Sequence, residues 1–415
     1  MFKFLHAADI HLDSPLKGLS RYEPMPADEI RLASRHAFEK LVRLAIEEEV
    51  SFVLIAGDLY DGDWKDASTG LFFASRMGRL RERGIPVYLI KGNHDAASVV
   101  TKSLRLPENT HVFDSRKAHS LVVPGIDAVI HGQSFSTRHV DENLVAGYPS
   151  RDPSRFNIGM LHTSLAGYEG HDTYAPCAVD DLRSKGYEYW ALGHVHTAQE
   201  VLRGDPWIVF PGNIQGRSIR ETGAKGCRIV TVDDAHRVTG CEFHALDMFR
   251  WMQLEVDVTG AVKMDAVEQA VEKALRAVET AGDIKYILRL ALKGATPLAS
   301  QLVSATDWLD SLRSLTTDVG AERMWLEKIE VRCTAPRQSM IADGPLAEVT
   351  ASLQGLNQDQ TKELFAPLLQ KLPDDAKELV QSMLDPLQPR YAELLAEVET
   401  LLAGRLSGQA VTHEN

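Results

Sequence analysis

The chain has 415 residues, 44% of them hydrophobic and 25% charged, with a formal net charge of −13. That length gives a sizeable core and two or three domains, and that charge excludes a stand-alone nucleic-acid binder held by bulk electrostatics. No run of 18 apolar residues occurs, the first strand begins almost at residue 1, and the four cysteines (Cys177, Cys227, Cys241, Cys333) show no Cys-x-x-Cys, a pattern expected of a reduced cytoplasmic protein.

Up to about residue 245, apolar β-branched runs alternate with helical periodicity, the signature of a layered α/β fold. The run FKFLHA (2–7) leads to Asp9-x-His11. Asp28 to Glu49 reads as an amphipathic helix, with Ile30, Ala33, Ala37, Leu41 and Leu44 on one face. FVLIA (52–56) follows and ends at Gly57-Asp58. A second helix, Ser68 to Arg83, precedes the strand Val87 to Ile90, which ends at Gly92-Asn93-His94-Asp95. IGML (158–161) runs into His162, and YWAL (189–192) into Gly193-His194-x-His196.

Around residue 249 the pattern changes to a shorter unit, predicted as strands Gln253 to Val258, Tyr286 to Leu292 and Trp325 to Val331, with helices Met264 to Thr280 and Ala299 to Leu315. Beyond Pro336 the chain reads as helical and acidic, broken at Pro345, Pro367, Pro373, Pro386 and Pro389. Leu stripes recur there, as at Leu364, Leu368, Leu369 and Leu372. They fit either internal packing or a docking surface for a helical partner. The expected division is therefore 1–248, 249–336 and a helical region 337–415.

Each of the five motifs sits where a strand ends, so residues far apart in sequence can surround one point. Their types suit a two-metal site, in which paired divalent ions roughly 3.5–4 Å apart clamp a phosphate during in-line displacement. Asp58 is the natural bridge, because it follows the most uniformly apolar strand and Gly57 lets the backbone turn tightly. Asp9, His11 and His196 would complete one ion; Asn93, His162 and His194 would complete the other. Mixed imidazole, carboxylate and amide ligation favours Mn, Fe or Zn over Mg or Ca. His94 is left facing the open side as a proton donor or phosphate contact, with Asp95 expected to orient it. Alone, each motif is only a turn or a cap; together, in this order, they are not.

Basic residues for substrate are sparse. Arg76, Arg79, Arg81 and Arg83 read as a solvated helix end, whereas Arg217, Arg220 and Lys225, after a Pro-Gly-Asn turn, are the better phosphate candidates.

The five motifs resemble the signature of the calcineurin-like metallophosphoesterases. The opening Leu5-His6-Ala7-Ala8-Asp9-Ile10-His11-Leu12 is similar to SbcD-type DNA repair nucleases, and Phe210-Pro211-Gly212-Asn213-Ile214-Gln215-Gly216-Arg217, running to Glu221-Thr222-Gly223-Ala224-Lys225-Gly226, resembles their YhaO branch. The resemblance covers about residues 2 to 245. It implies an αββα-sandwich nuclease domain, a small α+β capping domain, two divalent ions (manganese first, iron or zinc otherwise), and DNA exonuclease or endonuclease activity in repair beside an SMC-like coiled-coil ATPase. Homodimerisation stays open. One departure stands out: where many SbcD-type nucleases carry a histidine three residues after the bridging aspartate, this chain has Asp61. His6 fits the family pattern but reads as a core histidine. The alternatives are a metallophosphatase acting on nucleotides or phosphoproteins, and a non-catalytic adaptor of an ATPase.

Overall fold

The structure is a computed structural model that describes residues 1–14, 27–61, 67–96, 105–165, 174–280, 282–304, 306–321, 323–336 and 366. The chain divides into two compact units, residues 1–252 with 281–286, and residues 253–280 with 287 onward.

Two six-stranded sheets form the first unit. In one, β1 (Phe2–Ala7), β2 (Phe52–Ala56), β3 (Val87–Ile90) and β4 (Thr110–Val112) run parallel. The antiparallel pair β11 (Gly226–Val232) and β12 (Val238–Ala245) extends it beyond β1, in the order β12-β11-β1-β2-β3-β4. The other sheet has the order β5-β6-β7-β8-β10-β9, from β5 (His119–Val122), β6 (Ala128–Gly132), β7 (Phe156–His162), β8 (Tyr189–Gly193), β9 (Gln199–Leu202) and β10 (Trp207–Phe210). Its four middle strands are parallel.

The sheets pack face to face over one aromatic-rich core. Phe4 and Phe52 stack at 5.1 Å, and Tyr189 from the second sheet meets Phe4 edge-on at 5.2 Å. Fully burying each such side chain contributes about 1.5–3 kcal/mol. On the outer face of the first sheet, helices Ala33–Glu47 and Ala67–Glu82 bring Leu41, Val42, Phe73 and Met77 against Leu5, Val53, Ile55 and Leu89. On the outer face of the second, helix Val179–Ser184 packs Leu182 with Trp190, whose Nε1–H donates to the Leu182 carbonyl at 3.1 Å. The result is an αββα sandwich. Strands covered on both sides bury every residue, which is why β2, β7 and β8 read as unbroken apolar runs.

The helix expected over 28–49 is two pieces, Ala27–Arg31 and Ala33–Glu47, separated at Leu32 (φ −94°, ψ 2°).

A three-stranded sheet in the order β13-β14-β15, most of it in the second unit, is formed by β13 (Phe249–Asp257), β14 (Lys285–Ala295) and β15 (Met324–Thr334). Helix Met264–Arg276 buries Val267, Val271 and Leu275 four residues apart, and helix Trp308–Gly320 buries Trp308, Leu312 and Thr316 in the same rhythm. The single helix expected over 299–315 is instead Ala299–Ser304 followed by Trp308–Gly320. Asp307 starts the second piece by accepting from Trp308 N at 3.1 Å. The region expected to be helical at 337–415 lies outside the described residues, apart from Ala366, which is helical. Among the described residues, no helix is long and apolar enough to cross a membrane.

Candidate metal centre

Parallel strands in both sheets deliver their C-terminal ends to the same edge. There Asp9 and His11 follow β1, Asp58 follows β2, Asn93 follows β3, His162 ends β7, and His194 and His196 follow β8. Backbone hydrogen bonds of 3.0 Å from Asp9 N to Gly57 O, His11 N to Asp58 O and Leu12 N to Leu59 O zip the first two loops together. The chain turns so sharply here that Asp9 (φ 51°), His11 (45°), Asp58 (52°) and His194 (99°) all hold left-handed backbone. Such conformations in non-glycine residues concentrate at functional sites. Gly57 is required twice over: its φ is 95°, and a methyl group there would fall on the His162 ring.

All seven expected ligands meet at this edge. Asp9, His11 and His196 form one grouping, with ligand atoms within 4.8 Å of one another; Asp9, Asp58 and His162 form a second. His162 Nε2 lies 3.0 Å from Asn93 Oδ1 and 3.4 Å from Asp58 Oδ2, and its ring meets His194 edge-on at 5.3 Å. Asp58 also reaches His11 Nε2 at 3.9 Å, so it faces both groupings, as a bridge must.

The donor set fits divalent cations. His162 Nδ1 sits 3.0 Å from the Ala56 carbonyl, which can only accept, so in the neutral ring Nε2 presents a lone pair towards the lone pairs of Asn93 Oδ1. Likewise His196 Nδ1 sits 2.8 Å from the Glu221 carboxylate, leaving its Nε2 lone pair 3.2 Å from His11 Nε2. The lone pairs of His162 Nε2 and Asn93 Oδ1 repel at 3.0 Å unless a cation lies between them, and one ion could likewise take the Nε2 atoms of His196 and His11. Ligands held at roughly 2.0–2.2 Å from one ion lie about 3.0–3.5 Å apart, the spacing seen here.

The electrostatics point the same way. Burial opposes charge on His162, yet Asp58 and Asp9 prevail and raise it to about 9. Burial would also raise Asp58, but His162 and His11 hold its carboxyl well below the usual carboxylate range. Asp9 is pushed up to about 6 by burial, with Asp58 adding to the rise. Buried carboxylates and imidazoles thus share this edge, where a bound cation would offset the carboxylate charge.

On the open side, His94 Nδ1 pairs with Asp61 Oδ1 at 2.9 Å, both side chains about a quarter exposed. This corrects the expectation for Asp95. Asp95 is buried and accepts from Leu59 N (3.1 Å), Tyr60 N (2.9 Å) and Gly92 N (3.1 Å), fastening the β2 and β3 loops to each other. Burial, and then Asp58, push its carboxyl up to about 6. The hydrogen bond to Asp61 raises His94 and holds Asp61 well below its ordinary value. Ser14 Oγ donates to Asp61 at 2.7 Å, and Arg217 Nη1 lies 3.7 Å from it.

The three basic candidates separate. Arg217 lies beside the centre, between Asp61 and Glu221 (3.6 Å). Arg220 is exposed, its backbone N donating to Ser218 Oγ at 3.4 Å. Lys225 is buried and donates from Nζ to the His196 carbonyl at 3.0 Å, so it fixes the ligand loop from inside the fold. Of the other basic group, Arg76 pairs with Glu39. His6 is a core histidine, fully buried, with Nε2 donating to Leu192 O at 3.2 Å and Nδ1 3.0 Å from Tyr189 Oη.

Sequence reasoning missed Glu221. Its carboxylate accepts from His196 Nδ1, from Arg217 N (2.7 Å) and from Asn213 Nδ2 (2.8 Å), so it orients a ligand histidine from outside the ligand set.

Fold and ligand set together define a metallophosphoesterase with a dinuclear divalent-metal site. The description Calcineurin-like phosphoesterase matches residues 2–198, and Metallophosphoesterase YhaO, middle domain, matches residues 251–334. The chain is 39% identical over 298 residues to the uncharacterized metallophosphoesterase YhaO of Bacillus subtilis, covering 71% of this chain and 72% of that protein. It belongs to the YhaO metallophosphoesterases of the calcineurin-like family. At lower identity it is similar to two proteins described as DNA double-strand break repair protein Mre11. The one from Methanopyrus kandleri is 22% identical, covering 97% of this chain and 86% of that protein; the one from Sulfolobus acidocaldarius is 23% identical, covering 75% and 81%.

Proposed function

We propose that this chain hydrolyses phosphodiester bonds of DNA, as an exonuclease or endonuclease in repair, with manganese in its metal centre and an SMC-like coiled-coil ATPase as partner. The observation that carries the reading is the open side of the centre, where His94, backed by Asp61, stands beside Arg217. Divalent ions bound by the seven ligands would polarise the phosphate and activate water. Asp61 keeps the His94 Nδ1 proton engaged, which leaves Nε2 to deliver a proton to the departing oxygen. Arg217 supplies fixed positive charge to the phosphate oxygens. Asp95 and Glu221 keep the loops and His196 in place, so little reorganisation accompanies the reaction. The names of the two Mre11 relatives support DNA as substrate. The buried thiols of Cys177, Cys227 and Cys333 suit a reducing, cytoplasmic setting.

The partner is proposed on charge. The first 250 residues hold 29 basic and 33 acidic side chains, too few free cations to grip a duplex unaided. Deleting residues 337–415 should spare hydrolysis of a small diester and abolish co-purification with the ATPase; aggregation of the truncated chain would mean that the Leu stripes are core.

The deciding assay offers the purified protein, with manganese, a small phosphodiester, a phosphomonoester, and single- and double-stranded DNA. Turnover of the diester and of DNA is expected. Turnover of the monoester alone would make the protein a phosphatase, and turnover of none would make it an adaptor.

A further inference from the structure

The loop after β6 supplies no metal ligand, yet it lies against the centre. Phe135, buried, meets the His162 ring edge-on at 5.5 Å. Four residues on, His139 stacks on Tyr174 with ring centres 5.0 Å apart and planes at 21°. Tyr174 in turn meets His194 at 5.1 Å and 63°. A column of three rings therefore runs from a ligand histidine outwards, placing the His139 ring within about 10 Å of His194.

The column is firmly seated at its inner end. Tyr174 is buried and exchanges hydrogen bonds with Ser164 (Ser164 N to Tyr174 O, 3.0 Å; Tyr174 N to Ser164 Oγ, 3.2 Å), and Ala175 N donates to Val140 O at 2.6 Å, tying this segment to the loop. The outer end is different. His139 is exposed, as is its neighbour Arg138, for which no ion pair occurs among the described residues. Packing explains Tyr174. The His139 ring laid flat on it belongs to an exposed residue, which leaves it accessible to a further stack.

A flat aromatic surface, a neighbouring guanidinium and a phosphodiester-cleaving centre within one or two nucleotides' reach match the needs of an unpaired nucleotide, whose base stacks on an aromatic ring while its phosphate meets a cation. We propose that His139 is a stacking shelf for a nucleobase next to the cleaved bond, with Arg138 contacting the flanking phosphate, so that the centre takes single-stranded or frayed nucleic acid ends. In an intact duplex both faces of each internal base are already covered. The proposal rests on the phosphodiesterase reading and adds to it the form of the strand.

The test compares wild type, His139→Ala and His139→Phe on a single-stranded oligonucleotide and on the same strand with an abasic nucleotide on either side of the cleaved bond. In wild type the abasic change on one side should raise KM about tenfold, the scale of one lost base stack. His139→Ala should raise KM about tenfold on the natural strand and leave it unchanged on the abasic one, with kcat and metal content unaltered. His139→Phe should restore the preference for the natural strand. Equal losses of His139→Ala on both strands, or no rescue by Phe, would overturn the shelf while leaving the nuclease reading intact. A wild-type protein that cleaves a small diester but no oligonucleotide would overturn the nuclease reading, and the shelf with it.

Discussion

Replacing Glu221 by Gln tests how far the metal centre depends on a residue that touches no metal. Glu221 is largely buried; burial favours its neutral form, but His196 and Arg217 prevail and hold its carboxyl well below the usual range, so it is ionised throughout the neutral range. One oxygen faces His196 Nδ1, and the other faces two donors, Arg217 N and Asn213 Nδ2. A glutamine has one acceptor and one donor end. Either orientation therefore sets its NH2 against a donor, and the negative charge that keeps His196 oriented is lost. Losses of this kind weaken metal binding about 10- to 100-fold, or about 1.4–2.7 kcal/mol. The effect should fall on the ion held by Asp9, His11 and His196 and spare the one held by Asn93, His162 and His194. Calorimetric titration of the metal-free protein with manganese would then show one binding step weakened and the other as in wild type. Two unchanged steps, with the fold intact, would refute the orienting role.

Asp58→Asn keeps size but removes the bridging charge, so metal content and diester turnover should both collapse; full turnover in metal-stripped buffer would contradict the bridge. His94→Gln should keep two ions bound while lowering turnover about 10²-fold or more, whereas loss of an ion, read by metal analysis, would make His94 a ligand. Asp61→Asn should lower turnover in the same sense without loss of metal, because the partner of His94 Nδ1 becomes neutral; an unchanged rate would leave Asp61 without a catalytic role. His6 gives a stability test: burial lowers it to about 3 from an unfolded value near 6.5, so the unfolded chain takes up a proton that the fold refuses. Its contribution is complete above pH 6.5 and falls by up to about 1.4 kcal/mol per unit on acidification towards pH 3. Denaturant unfolding of His6→Gln between pH 6.5 and 4.5 should show a shallower loss than wild type, and parallel slopes would refute the assignment.

The meeting of the five motifs at one edge was legible because parallel strands buried on both faces write themselves as apolar runs, and the polar residue after each run marks the sheet edge. The partner of His94 was not. Asp95 adjoins it in sequence, but the two occupy one helical turn, Asn93–Ala96, in which successive side chains point about 100° apart; one faces the loop amides and the other the opening. Asp61 was visible only as a departure from a family pattern, and its pairing needed the β2 loop folded over β3. Glu221 lies 25 residues from His196, in a loop without periodicity, so no spacing rule reaches it. The single helix expected over 299–315 hid a break, because the apolar rhythm continues across the Asp307 cap.

The left-handed backbone at Asp9, His11, Asp58 and His194 links the stability of this edge to the ions it would hold. Each such residue costs up to about 1–3 kcal/mol, less for Asp and His, which tolerate this region better than most. The metal-free chain is therefore locally frustrated at the edge where both sheets are clasped. Ions that bind only the folded arrangement offset this, adding about 2.7 kcal/mol of stability at a hundredfold excess over Kd. The loaded protein should therefore unfold at a higher denaturant concentration than the metal-free one.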